Sequence, residues 1–285
     1  GEESVPRFSP DGKWLAFAST QNGNADVYIM PVEGGSLKQL TLHDGNDFPD
    51  SWSWDSKTVY FTSDRFNTFG AYTVSATGGT PVRLFSDNYF DQAHNVIEIP
   101  GSNGTEWYFT TSWESQMFSH RKRYRGENNP DIAYYNRKTG ENKRLTDWEG
   151  KDLWPSADRN GKVWFASDEG NSEYNLYTFD NDAKRQVTTF PTSIRRPQVS
   201  ADGLFVVFAR DYRVWTYDVA TARSSPCEIS VWSNENLATE IGYNSAGKIT
   251  DFDVSGDSKK IAFVSRGRLF VSDIAGKFVR EMPTD

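Results

Sequence analysis

Five consecutive residues, Arg121-Lys122-Arg123-Tyr124-Arg125, place three guanidinium groups and an ammonium beside one tyrosine, in a chain of formal charge −8. A guanidinium grips a carboxylate through two parallel N–H···O bonds, whereas an ammonium acts as a point charge. Three such forks on a protruding loop suit an anionic peptide end, the C-terminal carboxylate above all, or a neighbouring domain. The competing reading is a solvated loop on an acidic protein.

Other chemistry finds less support. His43, His94 and His120 are the only histidines. His43, beside Asp44 and Asp47, reads as a surface turn residue. A Ser-His-Asp triad needs its nucleophile on a strained turn, and no Gly-x-Ser-x-Gly occurs in the chain. No two histidines have metal-ligand spacing, which leaves only a metal site assembled from separate repeats. The Asp-Gly turns lack the alternating oxygen ligands and closing Glu of a calcium loop. Trp52-Ser53-Trp54, Trp148 and Trp154 offer sugar-stacking faces, but core packing is the favoured reading. No catalytic residue, metal or cofactor is expected.

The elements that must carry the basic run are strands. Six short segments share a Phe with an apolar residue two before it and a small residue after it: Phe17, Phe61, Phe109, Phe165, Phe208 and Phe263. They lie 44, 48, 56, 43 and 55 residues apart. Turn sequences precede most of them, as in Ser9-Pro10-Asp11-Gly12-Lys13, Asn160-Gly161 and Ala201-Asp202-Gly203, where Asp, Asn and Gly accept positive φ. A second strand follows each Phe, such as Asp26-Val27-Tyr28-Ile29-Met30. A turn and a last short strand such as Lys38-Gln39-Leu40-Thr41 come next, and Pro6-Arg7-Phe8 or Ser51-Trp52-Ser53 supplies the fourth. Four short antiparallel strands every 45 residues or so match one propeller blade. Stacked blades bury faces that a lone blade would expose. The expected fold is all-β: a six-bladed β-propeller of four-stranded antiparallel blades, one domain over 1–285. The blades fall near 5–48, 49–92, 93–154, 155–196, 197–246 and 247–285. Insertions at 112–130, which holds the basic run, and at 221–248 interrupt the third and fifth repeats, and long excursions on a rigid scaffold are where function tends to sit.

Composition agrees. Aromatic residues are 15% of the chain against 36% hydrophobic overall, so burial rests on a few large rings suited to strands. The acidic balance repels phosphate backbones, which disfavours nucleic acid as a partner. A single cysteine, Cys227, excludes an internal disulfide and a Cys-based zinc site. No apolar run is long enough to span a bilayer. The leading Gly1 reads as a cut edge, so an earlier targeting segment is expected.

The run from Ser9-Pro10-Asp11-Gly12-Lys13-Trp14 to Asp26-Val27-Tyr28-Ile29-Met30-Pro31-Val32-Glu33-Gly34-Gly35 resembles the blade repeats of TolB-type and tricorn-type proteins. His120-Arg121-Lys122-Arg123-Tyr124-Arg125-Gly126, with Asp131-Ile132 and Lys143-Arg144-Leu145-Thr146-Asp147 beyond it, resembles the basic insertion in the first propeller of tricorn protease homologues. The resemblance runs over essentially the whole chain. It implies a propeller module of a large serine peptidase whose catalytic Ser and His lie elsewhere, acting as a side gate for peptides. It also implies that arginines among Arg121, Arg123 and Arg125 anchor a peptide carboxylate. In that family a short blade usually precedes the unit that here begins at Pro6. Either the six repeats close on themselves, or the last, from Ile249, resembles the opening blade of a second propeller.

Two roles follow as expectations: a non-catalytic module that guides or gates peptides and docks to catalytic domains of the same polypeptide, or a TolB-like protein-binding propeller of the cell envelope. A stand-alone lyase or glycosidase at a propeller face lacks a convincing set of acids, bases or ligands. The resemblance implies a periplasmic address, with cytoplasm as the alternative. A homo-oligomer stays open.

Overall fold

The computed structural model describes residues 2–67, 69–86, 90–230, 242 and 244–282. Its strands form six four-stranded antiparallel sheets, each a meander of sequence neighbours. The first holds β1 (Glu3–Phe8), β2 (Trp14–Ser19), β3 (Asp26–Pro31) and β4 (Lys38–Gln39). The second holds β5 (Asp47–Trp52), β6 (Thr58–Ser63), β7 (Gly70–Ser75) and β8 (Val82–Arg83). The third holds β9 (His94–Glu98), β10 (Glu106–Thr110), β11 (Ile132–Asn136) and β12 (Glu141–Arg144). The fourth holds β13 (Asp152–Ala157), β14 (Val163–Ser167), β15 (Asn175–Asp180) and β16 (Ala183–Gln186). The fifth holds β17 (Arg195–Val199), β18 (Phe205–Arg210), β19 (Arg213–Asp218) and β20 (Arg223–Pro226). The sixth holds β21 (Ile249–Val254), β22 (Lys260–Ser265), β23 (Arg268–Asp273) and β24 (Val279–Glu281). This is the all-β, six-sheet propeller architecture expected from the repeats. Strands β13 and β17 begin a few residues before the repeat edges read at 155 and 197, because Asp152 already pairs with Ser167 and Arg195 with Ala209. Residues 231–241 and 243 of the second insertion lie outside the described residues.

The chain packs as two compact units, residues 1–228 with five sheets and residues 229–285 with the sixth. In the first unit, neighbouring sheets share apolar layers. Ala16, Val27 and Ile29 meet Trp52, Val59 and Phe61, and Leu153, Trp164 and Leu176 meet Val206, Phe208 and Tyr217. Truncating one of these buried rings to Ala is worth about 3–5 kcal/mol.

The repeated Phe has a physical reason. On the second strand of each sheet it sits opposite an aromatic on the third: Phe17 with Tyr28, Phe61 with Tyr72, Phe165 with Tyr177, Phe208 with Trp215 and Phe263 with Phe270. Cross-strand aromatic pairs stabilise a sheet directly. The third sheet departs, with Ala133 opposite Phe109. The rings of Phe85 and Phe90 fill that space, 5.4 and 5.7 Å from Phe109.

Two polar devices also recur. Asp11 Oδ1 accepts from the Ser9 hydroxyl and the Lys13 N–H while Gly12 takes φ +72°. Ser53–Asp55, Ser200–Asp202 and Ser255–Asp257 repeat the arrangement. The Ser hydroxyl is the main reason each of these carboxyls is held below the usual range. Second, a Thr after the fourth strand donates to the Asp or Asn that opens the third strand and accepts the next N–H. Thr41 does so for Asp26 and Val27, Thr146 for Asp131 and Ile132, and Thr188 for Asn175 and Leu176. Each hydroxyl thus satisfies one buried acceptor and one buried N–H.

Candidate functional site

The first insertion leaves the third sheet after β10 and returns before β11. Its only regular element is one helical turn, α1 (Glu114–Met117). From there the chain crosses to the fourth sheet, where Asp168 and Glu173, after β14, hold it down.

Asp168 is fully buried and works as a hub. Its Oδ1 accepts from the Trp148 indole N–H at 2.9 Å and the Lys151 N–H at 3.0 Å, and its Oδ2 accepts from the Arg123 N–H at 3.1 Å. Arg123 pays for this contact with a left-handed backbone, φ +65°. The Arg125 guanidinium lies 3.6 Å from Asp168 Oδ2 and stacks on Trp148, 4.6 Å from its ring centroid.

Glu173 accepts from Lys122 Nζ at 2.7 Å and from the Ser193 hydroxyl at 2.6 Å. Burial works to raise its pKa, but the bonds from Lys122 and Ser193 outweigh that and hold it below the usual carboxylate range. Under the loop, Glu114 and Lys151 are buried together, with Lys151 Nζ 3.6 Å from Glu114 Oε2 and 2.7 Å from the Phe118 carbonyl oxygen that accepts its proton. Burial pulls the Lys151 pKa down and the Glu114 carboxylate opposes it. Arg121 closes the cluster at 3.1 Å from Glu114 Oε1, over the Phe118 and Tyr124 rings.

The three arginines singled out in the sequence are therefore brought to one surface but differ in what remains free. Arg121 and Arg125 are each paired with a buried carboxylate and stacked on rings. Arg123 reaches Glu173 only at 3.8 Å, a carboxylate already engaged by Lys122, and its side chain is 66% exposed. It is the most exposed of the three, against 48% for Arg121 and 33% for Arg125. A neighbouring polar cavity of about 180 Å³, lined by Thr111, Ser112, Glu127, Asn128, Asn129 and Arg144, lies where the insertion rejoins the sheet.

Sequence reasoning missed the partners of the run: Glu114, Trp148, Lys151, Asp168 and Glu173. It placed Trp148 in a core, whereas Trp148 is half-buried and serves as the stacking platform for Arg125; Trp52 and Trp154 are buried as read. His43 accepts the Gly45 N–H within its own turn, as a turn residue would. Among the described residues, no three His, Cys, Asp or Glu side chains converge as metal ligands.

Residues 1–223 match the family described as the tricorn protease N-terminal beta propeller domain. The chain is 25% identical over 303 residues to the tricorn protease of Thermoplasma acidophilum, covering 97% of this chain and 26% of that protein. The crystal structure of the tricorn protease superposes with a TM-score of 0.68 at 21% identity, over 100% of this chain and 28% of that one. TolB from Acinetobacter baumannii superposes at 0.60 and 17% identity, over 96% and 64%. The chain thus spans about a quarter of the length of the tricorn protease.

Proposed function

The chain belongs to the tricorn protease N-terminal β-propeller family, and on that premise we propose that it is the non-catalytic propeller module of a tricorn-like serine peptidase, guiding peptides and docking to the catalytic domains of the same polypeptide. One observation carries the peptide role: the insertion of the third sheet is pinned to the fourth through Asp168 and Glu173, while the Arg123 guanidinium is left outward. A rigid base with one free fork is what capture of a carboxylate needs, because little ordering remains to be done on binding. Arg121 and Arg125 fix the loop and supply positive field. The envelope-binding alternative draws on likeness of fold alone. A periplasmic address belongs to the same proposal and is tested by fractionating cells that express the full-length protein.

The test is steady-state kinetics of the full-length peptidase on short peptides. Arg123→Ala is expected to raise KM for free-carboxylate peptides about tenfold or more, with kcat little changed, and to leave C-terminally amidated peptides unaffected. An unchanged KM overturns the anchoring role. Peptide hydrolysis by the isolated chain overturns the non-catalytic one.

A further inference from the structure

A second cleft opens between the third and fourth sheets, at the end away from the insertion. The insertion joins the end of β10 to the start of β11, whereas the cleft gathers the start of β12, the turn before β14 and the turn after β15. It encloses about 490 Å³, and small-molecule sites usually measure about 300–1,000 Å³. Its lining follows from strand register. Tyr108, Tyr134 and Lys143 stand opposite one another on β10, β11 and β12, and Glu141, Lys143 and Leu145 alternate along the third sheet's outer edge. The Tyr134 ring is fixed, because its hydroxyl donates to Glu106 Oε2 at 2.9 Å and accepts from Asn136 Nδ2 at 3.2 Å. The fourth sheet contributes Lys162, Val163, Phe179 and the Asn181-Asp182 turn, whose φ values of +47° and +65° suit a tight hairpin.

The corresponding space between the fourth and fifth sheets is filled. There Trp164, which precedes Phe165 as Tyr108 precedes Phe109, meets Tyr217 at 6.0 Å, and both rings are buried. Phe179 holds in the fourth sheet the place of Tyr217 in the fifth, two residues beyond the aromatic that faces the repeated Phe. It stacks instead on Phe165 of its own sheet, 5.1 Å away. Tyr108 and Phe179 are left half-buried, and the repeat opens where its neighbour is closed.

Four charged side chains line the cleft, Glu141, Lys143, Lys162 and Asp182, and all are exposed. Among the described residues none of them forms an ion pair; Lys162 Nζ lies over the Trp164 ring, 5.0 Å from its centroid. Two carboxylates oppose a simple anion there, and two ammoniums oppose a simple cation. A neutral sugar would stack on the rings but leave all four charges without a partner. A molecule with one charge of each sign and an apolar body answers both the charges and the rings.

We infer that this cleft, walled by Tyr108, Tyr134 and Phe179, binds a small zwitterion with an apolar side chain: a free amino acid or a short peptide with both ends unblocked. Lys143 and Lys162 face its carboxylate, and Glu141 and Asp182 its ammonium. The site shares no residue with the insertion and stands whether or not the chain serves a peptidase.

Calorimetric titration of the chain at low ionic strength, with amide NMR of the same protein, tests it with three probes: the dipeptide alanyl-phenylalanine, its N-acetylated amide, and cellobiose. The free dipeptide is expected to bind and to shift the amides of 141–145, 161–163 and 179–182. The other two should bind at least about tenfold more weakly. Glu141→Gln and Lys143→Gln, both at exposed positions, should each weaken the dipeptide about fivefold or more. Arg213→Gln, an exposed position on β19 outside the cleft, should leave it within about twofold. Absence of dipeptide binding, equal binding of the blocked form or of cellobiose, or full affinity in either variant of the cleft overturns the site. Amide shifts confined to 121–125 also overturn it and assign the dipeptide to the insertion.

Discussion

Ser115 donates its hydroxyl hydrogen to Nε2 of His94, fastening the insertion's helical turn α1 to the innermost strand β9. Nδ1 of the same ring lies 2.7 Å from the Gln92 carbonyl oxygen, so it carries the proton and leaves Nε2 as the acceptor. A serine activated by an oriented histidine is the arrangement of a nucleophile. Here Ser115 is 1% exposed and His94 is 0% exposed, so no substrate reaches them, and the pair acts as a structural rivet.

The rivet is pH-sensitive in a direction that follows from burial. Burial lowers the His94 pKa from 6.5 to about 4, so the folded chain keeps the ring neutral while the unfolded chain protonates it. The stability it contributes is complete above pH 6.5 and is lost as pH falls toward 4, by about 3 kcal/mol in all. Asp50 and Asp131 act oppositely: burial raises both to about 6, so the folded state gains from protonating them below that pH. Urea unfolding of wild type and His94→Gln between pH 7 and pH 4 separates the two effects, because the aspartates are common to both proteins. The stability difference should shrink by about 3 kcal/mol on acidification; a difference that stays flat refutes the assignment.

Gly150 marks where the insertion is pressed against the fourth sheet. A Cβ there would overlap Arg125 Nη1, Asp168 Oδ1 and Trp148 Nε1, the atoms that bind the loop. Gly150→Ala should cost about 1–3 kcal/mol, the range for forced overpacking. It should also loosen the loop before the sheets melt, read as faster tryptic cleavage after Arg121, Lys122, Arg123 and Arg125 in the folded protein. Cleavage at the wild-type rate would show that the latch is not centred on Asp168.

The recurring Thr hydroxyls give a graded comparison. Thr41→Val leaves the Asp26 carboxylate, already raised in pKa by burial, without its threonine donor. Thr188→Val takes the same bond from the neutral Asn175 amide, whose oxygen still accepts the Phe190 N–H at 2.7 Å. Both changes also strand a backbone N–H. Thermal unfolding should show each destabilised by about 1–3 kcal/mol, with Thr41→Val the worse, since hydrogen bonds to charged groups are the stronger. The reverse order would mean that the strands relax around the change.

The basic run stood out as a candidate because an insertion of that composition interrupts an otherwise regular repeat. Its division of labour was not. Asp168 and Glu173 lie 45 and 51 residues from the loop residues they bind, on the next sheet, and nothing local marks them. Trp148 carried no sign that its indole N–H meets a buried carboxylate.

The basic insertion and the repeat that bears it were determined by the sequence alone. Alternating apolar residues, a Phe paired across strands with an aromatic in five of the six sheets and a Ser-Asp turn in four are short-range devices, and each can be read within a dozen residues. Which arginines are free was decided by the tertiary structure. Charge pairing depends on distance in space: only the packing of the fourth sheet against the third places Asp168 and Glu173 under the loop, where they hold Arg125 and Lys122, while Glu114 of the insertion holds Arg121 and Arg123 is left outward.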